Sequence, residues 1–431
     1  MAGSQYNGQS IYSILEERYY NLTCPVSAAS HTVHTRLYQT AKWSNSESLA
    51  NKTESVHGSV FNIEFSPVDD LALTVCSNRA ILSYDPRLSS SKPIHALRNA
   101  HDDAVNCLTF IDHHSFATCS DDKTIRIWDL RQLKYSIAVL QGHQNWVKNI
   151  EYDKNSGRLF SVALYDGVRE WKMDKMCDYT SEQCDNLVFE IIDPVRMRLS
   201  PNGNKMFISE RDNKCTVIDH FNGTCLKDIA PIVKDLRDNI YQSGTYKLGC
   251  NRPSMYTMSE RKGDSSYRSI MSACFFPYGE FIGLRHIDIR NNQFLCENLT
   301  LFDLRQDVYK PKYSSKDCQR KYLKYADETS PRESLDIIKE ISVSKDGRII
   351  ASPFDRGVRL LAIDEQATPP DLFFDDRYHS SYKEQSTLDL HAMQTMTGHK
   401  RAVLTCKFAN NDLLLATGCL DGHILFHKPR F

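Results

Sequence analysis

The chain has 431 residues, of which 41% are apolar and 25% charged, and its formal net charge is −1. This composition is typical of an ordinary soluble protein, and the near-zero net charge provides no overall attraction for nucleic acid. The sequence lacks both an apolar run long enough to span a membrane and an N-terminal secretory signal pattern, so we expect an intracellular protein, nuclear or cytoplasmic.

Residues 1–56 precede the first recognisable repeat, and two stretches within them show helical spacing. Residues 10–20, SIYSILEERYY, predict a short helix whose apolar face consists of Ile11, Ile14 and Leu15. Residues 35–43 are more weakly amphipathic. An apolar helix face has to be covered, either by the wall of the main domain or by a partner protein.

The clearest repeat unit of the chain is residues 101–131, HDDAVNCLTFIDHHSFATCSDDKTIRIWDLR. Apolar and polar residues alternate in three short runs between turn clusters, which predicts three antiparallel strands. A His that precedes a Trp-Asp pair by about 27 residues is typical of a β-propeller blade. In such a blade we expect a hydrogen-bonded structural network, formed here by His101, Thr118, Asp122 and Trp128.

Weaker copies of this unit recur along the chain, each with a turn residue six positions before a strand residue. The pairs are Asn78 and Tyr84, Asp122 and Trp128, Asp212 and Ile218, Asp355 and Leu361, and Asp421 and His427. A further unit starts at Gly142-His143 and ends at Trp171, but its Asp166 lies one place late. In that unit either the turn is rebuilt or the network is lost.

The repeats predict an all-β fold, a seven-bladed WD-repeat β-propeller over residues 57–431 that follows the N-terminal helical segment 1–56. Blades are expected at about 57–100, 101–141, 142–180, 185–225, 268–306, 335–365 and 396–431. Long insertions are expected at about 226–267, 307–334 and 366–395. The last strand should pair with a strand near the start of the domain, because a closed ring leaves no exposed sheet edge.

One insertion is basic. Six Lys or Arg lie between residues 310 and 324, with Tyr interleaved. Nucleic acid could bind such a stretch, but a solvated surface insertion is the favoured interpretation, so we expect no nucleic-acid partner.

The motifs of catalytic and metal sites are absent from the sequence. It contains no Gly-rich phosphate loop, no nucleophile elbow and no C-x-x-C pair among its 14 Cys. Cys at strand positions, such as Cys107, Cys119 and Cys406, are expected to be small buried thiols. We therefore expect no enzyme activity, no cofactor and no metal, and instead a rigid disc that presents binding loops.

In three of the blades, the third strand ends at an Asp, and an Arg lies two positions after that Asp. The three motifs read Tyr84-Asp85-Pro86-Arg87, Trp128-Asp129-Leu130-Arg131 and Phe302-Asp303-Leu304-Arg305. Such an Asp–Arg pair could simply steady the turn. Exposed ion pairs add little stability, however, so three occurrences favour a binding role. Arg87 and Arg131 belong to adjacent blades and should project from one face.

These residues resemble the Trp-Asp-x-Arg box of the WD-repeat substrate receptors of cullin-4 ubiquitin ligases. The resemblance covers about residues 10–175 and includes SIYSIL, TRLY, FATCSDDKTIRIWDLRQL at 116–133 and GHQNWVKNIEYDKN at 142–155. It implies that Arg131 and Arg87 contact the damaged-DNA-binding adaptor that bridges to cullin-4, with Arg305 as a weaker candidate. It also implies that the helix of residues 10–20 inserts into the adaptor. Tyr84 and Phe302 depart from the Trp of the box.

Two functions are compatible with these observations. The first is the substrate-recognition subunit of a cullin-4 RING ubiquitin ligase, which docks on the adaptor and presents a target protein for ubiquitination. The second is a non-catalytic WD-repeat scaffold without a ligase link, in which the arginines are structural. The combination of an N-terminal helix with a repeated Arg box favours the first, because a plain scaffold does not need both.

Overall fold

The computed structural model describes most of the repeat region and little of the N-terminal segment. The described residues are 42–45, 58–68, 71–86, 92–173, 187–189, 194–210, 215–219, 224–228, 266–277, 281–290, 293–303, 311–314, 339–345, 347, 349–362, 388–389 and 391–430. The expected helix at residues 10–20 lies outside them. Within these ranges no helix is long and apolar enough to cross a membrane.

The described residues form seven sheets, which we call blades 1 to 7 in chain order. A first strand, β1 (Lys42–Asn45), precedes blade 1. Blade 1 contains β2 (Val60–Phe65), β3 (Ala72–Cys76), β4 (Ile81–Tyr84) and β5 (His95–Leu97). Blade 2 contains β6 (Val105–Phe110), β7 (Ser115–Ser120), β8 (Ile125–Asp129) and β9 (Ala138–Leu140), with a short 3-10 helix at Leu130–Gln132. Blade 3 contains β10 (Val147–Asp153), β11 (Arg158–Ala163), β12 (Gly167–Lys172) and β13 (Leu187–Phe189).

The remaining four blades follow the same order. Blade 4 contains β14 (Pro194–Leu199), β15 (Lys205–Glu210), β16 (Cys215–Asp219) and β17 (Thr224–Asp228). Blade 5 contains β18 (Ser266–Phe275), β19 (Phe281–Arg290), β20 (Gln293–Asp303), β21 (Pro311–Ser314) and β25 (Leu388–Asp389). Blade 6 contains β22 (Ser342–Val343), β23 (Ile349–Phe354), β24 (Gly357–Ala362) and β26 (His391–Thr397). Blade 7 contains β27 (Val403–Phe408), β28 (Leu415–Cys419) and β29 (Ile424–Arg430), together with β1.

The blades close into a ring. The first strands of successive blades contact one another in order, from β2 through β6, β10, β14, β18 and β22 to β27, and β27 contacts β2. In addition, β29 pairs antiparallel with β1, with Lys42 opposite Arg430 and Asn45 opposite His427. The all-β, seven-bladed propeller and its closure by the last strand are therefore confirmed.

The hydrophobic core lies between neighbouring blades. Phe116 and Trp128 of blade 2 pack on Leu73 and Val75 of blade 1, and Trp171 of blade 3 packs on the other face of blade 2. Similar clusters join blades 3 and 4, 5 and 6, 6 and 7, and 7 and 1. Because neighbours cover both faces of a sheet, strands such as β3 are buried at every position, although an isolated antiparallel sheet would have one polar face.

The structure corrects several expected boundaries. β1 lies within the segment assigned to 1–56, and it includes residues 42 and 43 of a stretch that was expected to be helical. Each blade also has an outer strand that the three-strand pattern missed. For this reason blade 3 ends at β13 instead of residue 180, and blade 6 ends at β26. The outer strand β5 is mostly exposed and β9 is buried only at Leu140, so these strands lack the apolar alternation by which the other strands were recognised.

Strands also occur in the expected insertions. β21 lies in the stretch 307–334 and β25 in 366–395, and the two pair in parallel at the outer side of blade 5. These insertions therefore contribute to a sheet, although most of their residues lie outside the described ranges.

The seam between blades 7 and 1 should be sensitive to the size of two side chains. A Cβ at Gly418 would lie 2.6 Å from Cγ1 of Val60. Gly418→Ala should therefore lower the free energy of unfolding by about 1–3 kcal/mol through overpacking, and Val60→Ala by about 2 kcal/mol through a cavity. In the double variant each change relieves the other, so urea unfolding should show a loss smaller than the sum by about 0.5 kcal/mol or more. Additive losses would show that the two positions are not in contact.

Candidate functional site

The four network residues expected in blade 2 lie together. His101 Nδ1 is 2.8 Å from Asp122 Oδ2, and His101 Nε2 is 2.8 Å from Thr118 Oγ1. Trp128 Nε1 donates a hydrogen bond of 2.8 Å to the same hydroxyl. These bonds fit a neutral imidazole with its proton on Nδ1, since Thr118 can accept from Trp128 and donate to Nε2. The network connects the loop before β6 with β7, with β8 and with the turn between those two strands.

Burial decides the charge states in this network. It lowers the pKa of His101, although Asp122 acts in the opposite direction. Burial alone would raise the pKa of Asp122, but hydrogen bonds from His101 and Thr124 outweigh it, and the pKa is lowered. At physiological pH the imidazole is therefore neutral and the carboxylate is charged.

Blade 3 retains the same network with a rebuilt turn. His143 Nδ1 is 2.5 Å from Asp166 Oδ2, His143 Nε2 is 2.6 Å from Ser161 Oγ, and Trp171 Nε1 donates to Ser161 Oγ over 2.8 Å. Tyr165 takes a positive φ of 55°, which lets the carboxylate one place later in the chain reach the ring. Of the two alternatives for this unit, the rebuilt turn is the one observed.

The residue types of this network match a Ser-His-Asp catalytic triad, but its environment does not. Ser161 is fully buried, and its hydroxyl is held between His143 and the ring NH of Trp171. A nucleophile has to reach a substrate carbonyl, and here the Trp occupies that approach. The arrangement therefore has a structural role: its hydrogen bonds hold the strands and turns of the blade together.

Blade 7 has a reduced network without a carboxylate. His399 Nε2 is 2.8 Å from Thr417 Oγ1, which is 3.0 Å from Nε2 of His427 in the place of the Trp. The Nδ1 atoms of both rings have no hydrogen-bond partner among the described residues. Asp421, the turn carboxylate of this blade, does not bind the His399 ring, and its Oδ1 lies 3.7 Å from Nε of Arg401. Burial lowers the pKa of His399 to about 3 and that of His427 to about 4.

Asp129 and Arg131 form a two-pronged ion pair at the end of β8. Arg131 Nε donates to Asp129 Oδ1 over 2.9 Å, and Nη2 donates to Oδ2 over 2.6 Å. Asp129 also accepts from the backbone NH of Arg131, over 2.9 Å. The Arg131 side chain is 69% exposed, against 17% for Asp129, and its Nη1 makes no hydrogen bond to a described residue. The carboxylate therefore holds one side of the guanidinium and leaves the other side open.

This ion pair and the His101 network lie at opposite edges of blade 2. β8 begins just after the turn that contains Asp122 and ends at Asp129. On the edge of Arg131, Leu130 N donates to His114 O over 2.8 Å, which ties the 3-10 helix to the turn between β6 and β7. The other expected adaptor-contacting residues lie outside the described ranges: Arg87, Arg305, Ile11, Ile14 and Leu15.

A cluster of buried and partly buried charges connects the first strands and was not recognised from the sequence. Arg198 of β14 pairs with Glu340, which precedes β22, and donates to Glu151 Oε1 of β10 over 2.6 Å. Arg196 lies 3.2 Å from the other carboxylate oxygen of Glu340. Blades 4 and 6 are not neighbours, so the pair crosses the inside of the ring. Burial alone would raise the pKa of Glu340, but Arg198 and Arg196 outweigh it and lower the pKa.

Comparisons with known proteins agree with this architecture. A family model described as "WD domain, G-beta repeat" matches residues 91–129 and 391–428. A curated protein of Xenopus tropicalis, DDB1- and CUL4-associated factor 10, is 31% identical over 92% of the chain and 90% of its own length. Its human counterpart is 31% identical over 92% of the chain and 74% of its own length. Human WD repeat and SOCS box-containing protein 1 is 40% identical over only 17% of the chain and 18% of its own length.

Trp128 should be important for stability through both its ring and its NH group. Its side chain is 2% exposed. Trp128→Ala should lower the free energy of unfolding by about 3–5 kcal/mol, whereas Trp128→Phe, which keeps a ring but loses the donor to Thr118, should cost about 1 kcal/mol from the hydrogen bond alone. Trp146→Ala is the control, since Trp146 is 46% exposed and should change stability by about 0.5 kcal/mol at most. Equal effects of the two Ala variants in urea unfolding would contradict the role of Trp128.

The carboxylate-free network of blade 7 should make the protein sensitive to mild acid. His399 and His427 have lowered pKa values in the folded state, so each takes up a proton on unfolding once the pH falls below the usual 6.5. Their contribution to stability is therefore intact above pH 6.5 and decreases towards pH 4 and 3. At about pH 5 the loss is about 2 kcal/mol for each group.

His427→Gln tests this acid sensitivity, because Gln can still donate to Thr417 but does not titrate. Urea unfolding at about pH 7 and pH 5 should show a smaller loss on acidification in this variant, by about 2 kcal/mol. An identical loss in both proteins would show that His427 is not the acid-sensitive group.

Proposed function

The chain belongs to the DDB1- and CUL4-associated factor 10 family, and from this membership we propose that it is the substrate-recognition subunit of a cullin-4 RING ubiquitin ligase. In this proposal one edge of the propeller docks on the damaged-DNA-binding adaptor, which connects the chain indirectly to cullin-4. Another surface presents a target protein for ubiquitination. The proposed role is non-catalytic, because the chain contributes binding surfaces while the ligase partners carry out the transfer.

The observation that carries the proposal is the exposed guanidinium of Arg131. Asp129 orients it through two hydrogen bonds and leaves Nη1 directed away from that carboxylate. A planar guanidinium held in this way is pre-organised to donate to a carbonyl or carboxylate of a partner, and a Lys ammonium cannot reproduce this geometry. Arg131 thus fits the role that the Trp-Asp-x-Arg box implies.

The surroundings of Arg131 also suit a protein contact. The segment that leads from Arg131 into β9 exposes Tyr135 and Ile137, which are 65% and 56% accessible. Lys134 Nζ lies 5.2 Å from the centre of the Tyr135 ring. Aromatic and Arg side chains beside apolar surface are enriched in protein interfaces and often contribute most of the binding energy.

We assign the remaining adaptor contacts to residues that the family resemblance implies. Arg87 would act beside Arg131 from the neighbouring blade, and Arg305 would contribute less because its blade lies elsewhere on the ring. Ile11, Ile14 and Leu15 would form the apolar face of a helix that becomes ordered on the adaptor. Such a short helix gains little stability alone and needs a surface to cover it.

Arg131→Ala should weaken adaptor binding by about tenfold or more, because a desolvated charged hydrogen bond would lose its donor. Arg131→Lys should not restore binding, because Lys lacks the planar fork. The measurement is co-precipitation of the adaptor with each purified variant, beside circular dichroism to show that the fold is intact. Adding Arg87→Ala should abolish capture, while Arg305→Ala alone should have a milder effect.

Lys123→Ala is the matched control, since Lys123 is an exposed cation of the same blade at the opposite edge, and its loss should leave capture unchanged. Equal capture of the adaptor by the wild type and the Arg87, Arg131 double variant would contradict the proposal. A scaffold function without a ligase link, in which the arginines only steady their turns, would then be the better account.

A further inference from the structure

Blade 3 carries a Trp at a position where two sister blades carry Ala. The position is defined by one backbone hydrogen bond that is repeated in blades 2, 3 and 7. Leu164 N donates to Trp146 O over 3.1 Å, as Asp121 N donates to Ala104 O and Leu420 N to Ala402 O, both over 3.0 Å. The fold therefore needs no more than a methyl group here, yet blade 3 exposes 46% of a Trp.

The neighbouring turn of blade 3 also carries an aromatic residue at a position where other blades carry a polar residue. Tyr165 has a φ of 55°, and the turn residues with positive φ in blades 1, 2 and 6 are the polar Arg79, Lys123 and Asp355. A bulky aromatic residue rarely adopts this left-handed conformation, and such strain is concentrated at functional positions. The Tyr165 side chain is 64% exposed, so the stability of the fold does not require its ring.

Trp146 and Tyr165 belong to one surface, since Leu164, whose NH binds Trp146 O, is adjacent to Tyr165 in the chain. We call this pair the aromatic surface of blade 3. It lies at the same end of the strands as the turns that contain Asp122 and Asp166. Arg131 lies at the opposite end. Exposed aromatic side chains on adjacent loops that are not needed for folding are characteristic of binding sites.

Acidic groups flank the aromatic surface on the side of blade 2. Lys148 Nζ lies 4.8 Å from the centre of the Trp146 ring and 2.6 Å from Asp121 Oδ1. The next carboxylates are those of Asp102, which is 87% exposed and pairs with Arg126, and the exposed Asp103. Asp103 has no ion-pair partner among the described residues. The loop that contains Asp103 and Ala104, whose carbonyl binds Asp121 N, therefore presents an exposed carboxylate on the blade 2 side of the two aromatic residues.

We propose that the aromatic surface of blade 3 binds an extended segment of the target protein in which an apolar or aromatic residue stands next to a Lys or Arg. The apolar residue packs on Trp146 and Tyr165, and the cation pairs with Asp103. Nucleic acid fits less well, because its phosphates would meet the carboxylate of Asp103, which among the described residues has no paired cation as Asp102 and Asp121 have. The inference rests on the proposed function only in naming the bound protein as the ligase target.

The test uses a random-peptide phage library panned against the purified full chain, followed by fluorescence anisotropy with the enriched peptides after labelling. The double variant Trp146→Ala, Tyr165→Lys carries the residues that blade 2 has at these positions, so it should fold normally and melt as the wild type does. Enriched peptides should combine an apolar residue with Lys or Arg. The double variant should bind them about tenfold or more weakly, and Asp103→Asn should weaken only peptides that contain the cation.

Arg131→Ala should bind the same peptides as the wild type does. The Trp146→Ala, Tyr165→Lys double variant should still capture the adaptor. The peptide-binding proposal and the adaptor-binding proposal can therefore fail independently of each other. Tyr135→Lys is the matched control, since it removes an exposed aromatic residue on the opposite side of the blade. The inference is overturned if no enriched peptide depends on Trp146 and Tyr165, if the enriched peptides are acidic, or if single-stranded DNA binds in their place and needs these rings.

Discussion

Both faces of each blade must be covered by a neighbouring blade, and the rest of the structure depends on this constraint. The apolar side chains of one sheet, such as Trp128 and Phe116, pack against the neighbouring sheet. No blade can therefore be stable alone, and an open row would leave two apolar faces in water. Closure removes this problem: β1, which precedes blade 1 in the chain, pairs with β29 and completes blade 7, and β27 of blade 7 packs against β2 of blade 1.

The two proposed binding surfaces lie at opposite ends of the strands. Strand order places Arg131 at one edge of blade 2 and the turns with Asp122 and Tyr165 at the other. Residues at an edge are free of the packing constraint, so they can vary without loss of the core. The proposed receptor role requires two surfaces that can be occupied at once, and the loops at the two ends of the strands would supply them.

The hydrogen-bonded networks show how far a repeat can change while its blade remains intact. Blades 2 and 3 keep the His, Asp, hydroxyl and Trp set, although the Asp of blade 3 reaches the ring only through the rebuilt turn at Tyr165. Blade 7 replaces the Trp by His427 and omits the carboxylate, so two ring nitrogens lack partners among the described residues. Core packing between blades compensates for these losses, because the buried apolar area of a sheet face outweighs one hydrogen bond.

The fold class, the number of blades and the local partners of His101 could be predicted from the sequence, because these depend on alternation and spacing within about thirty residues. The sequence also showed the Asp129–Arg131 motif, whose bonds join residues two positions apart. The folded structure was needed to show that residues 42–45 complete blade 7 and that Arg198 meets Glu340 across the ring. It alone also brought Trp146 and Tyr165 to one surface opposite Arg131. The contacts of residues 42–45 and of Arg198 join residues far apart in the chain, and no local pattern specifies which distant segments the closed ring will bring together.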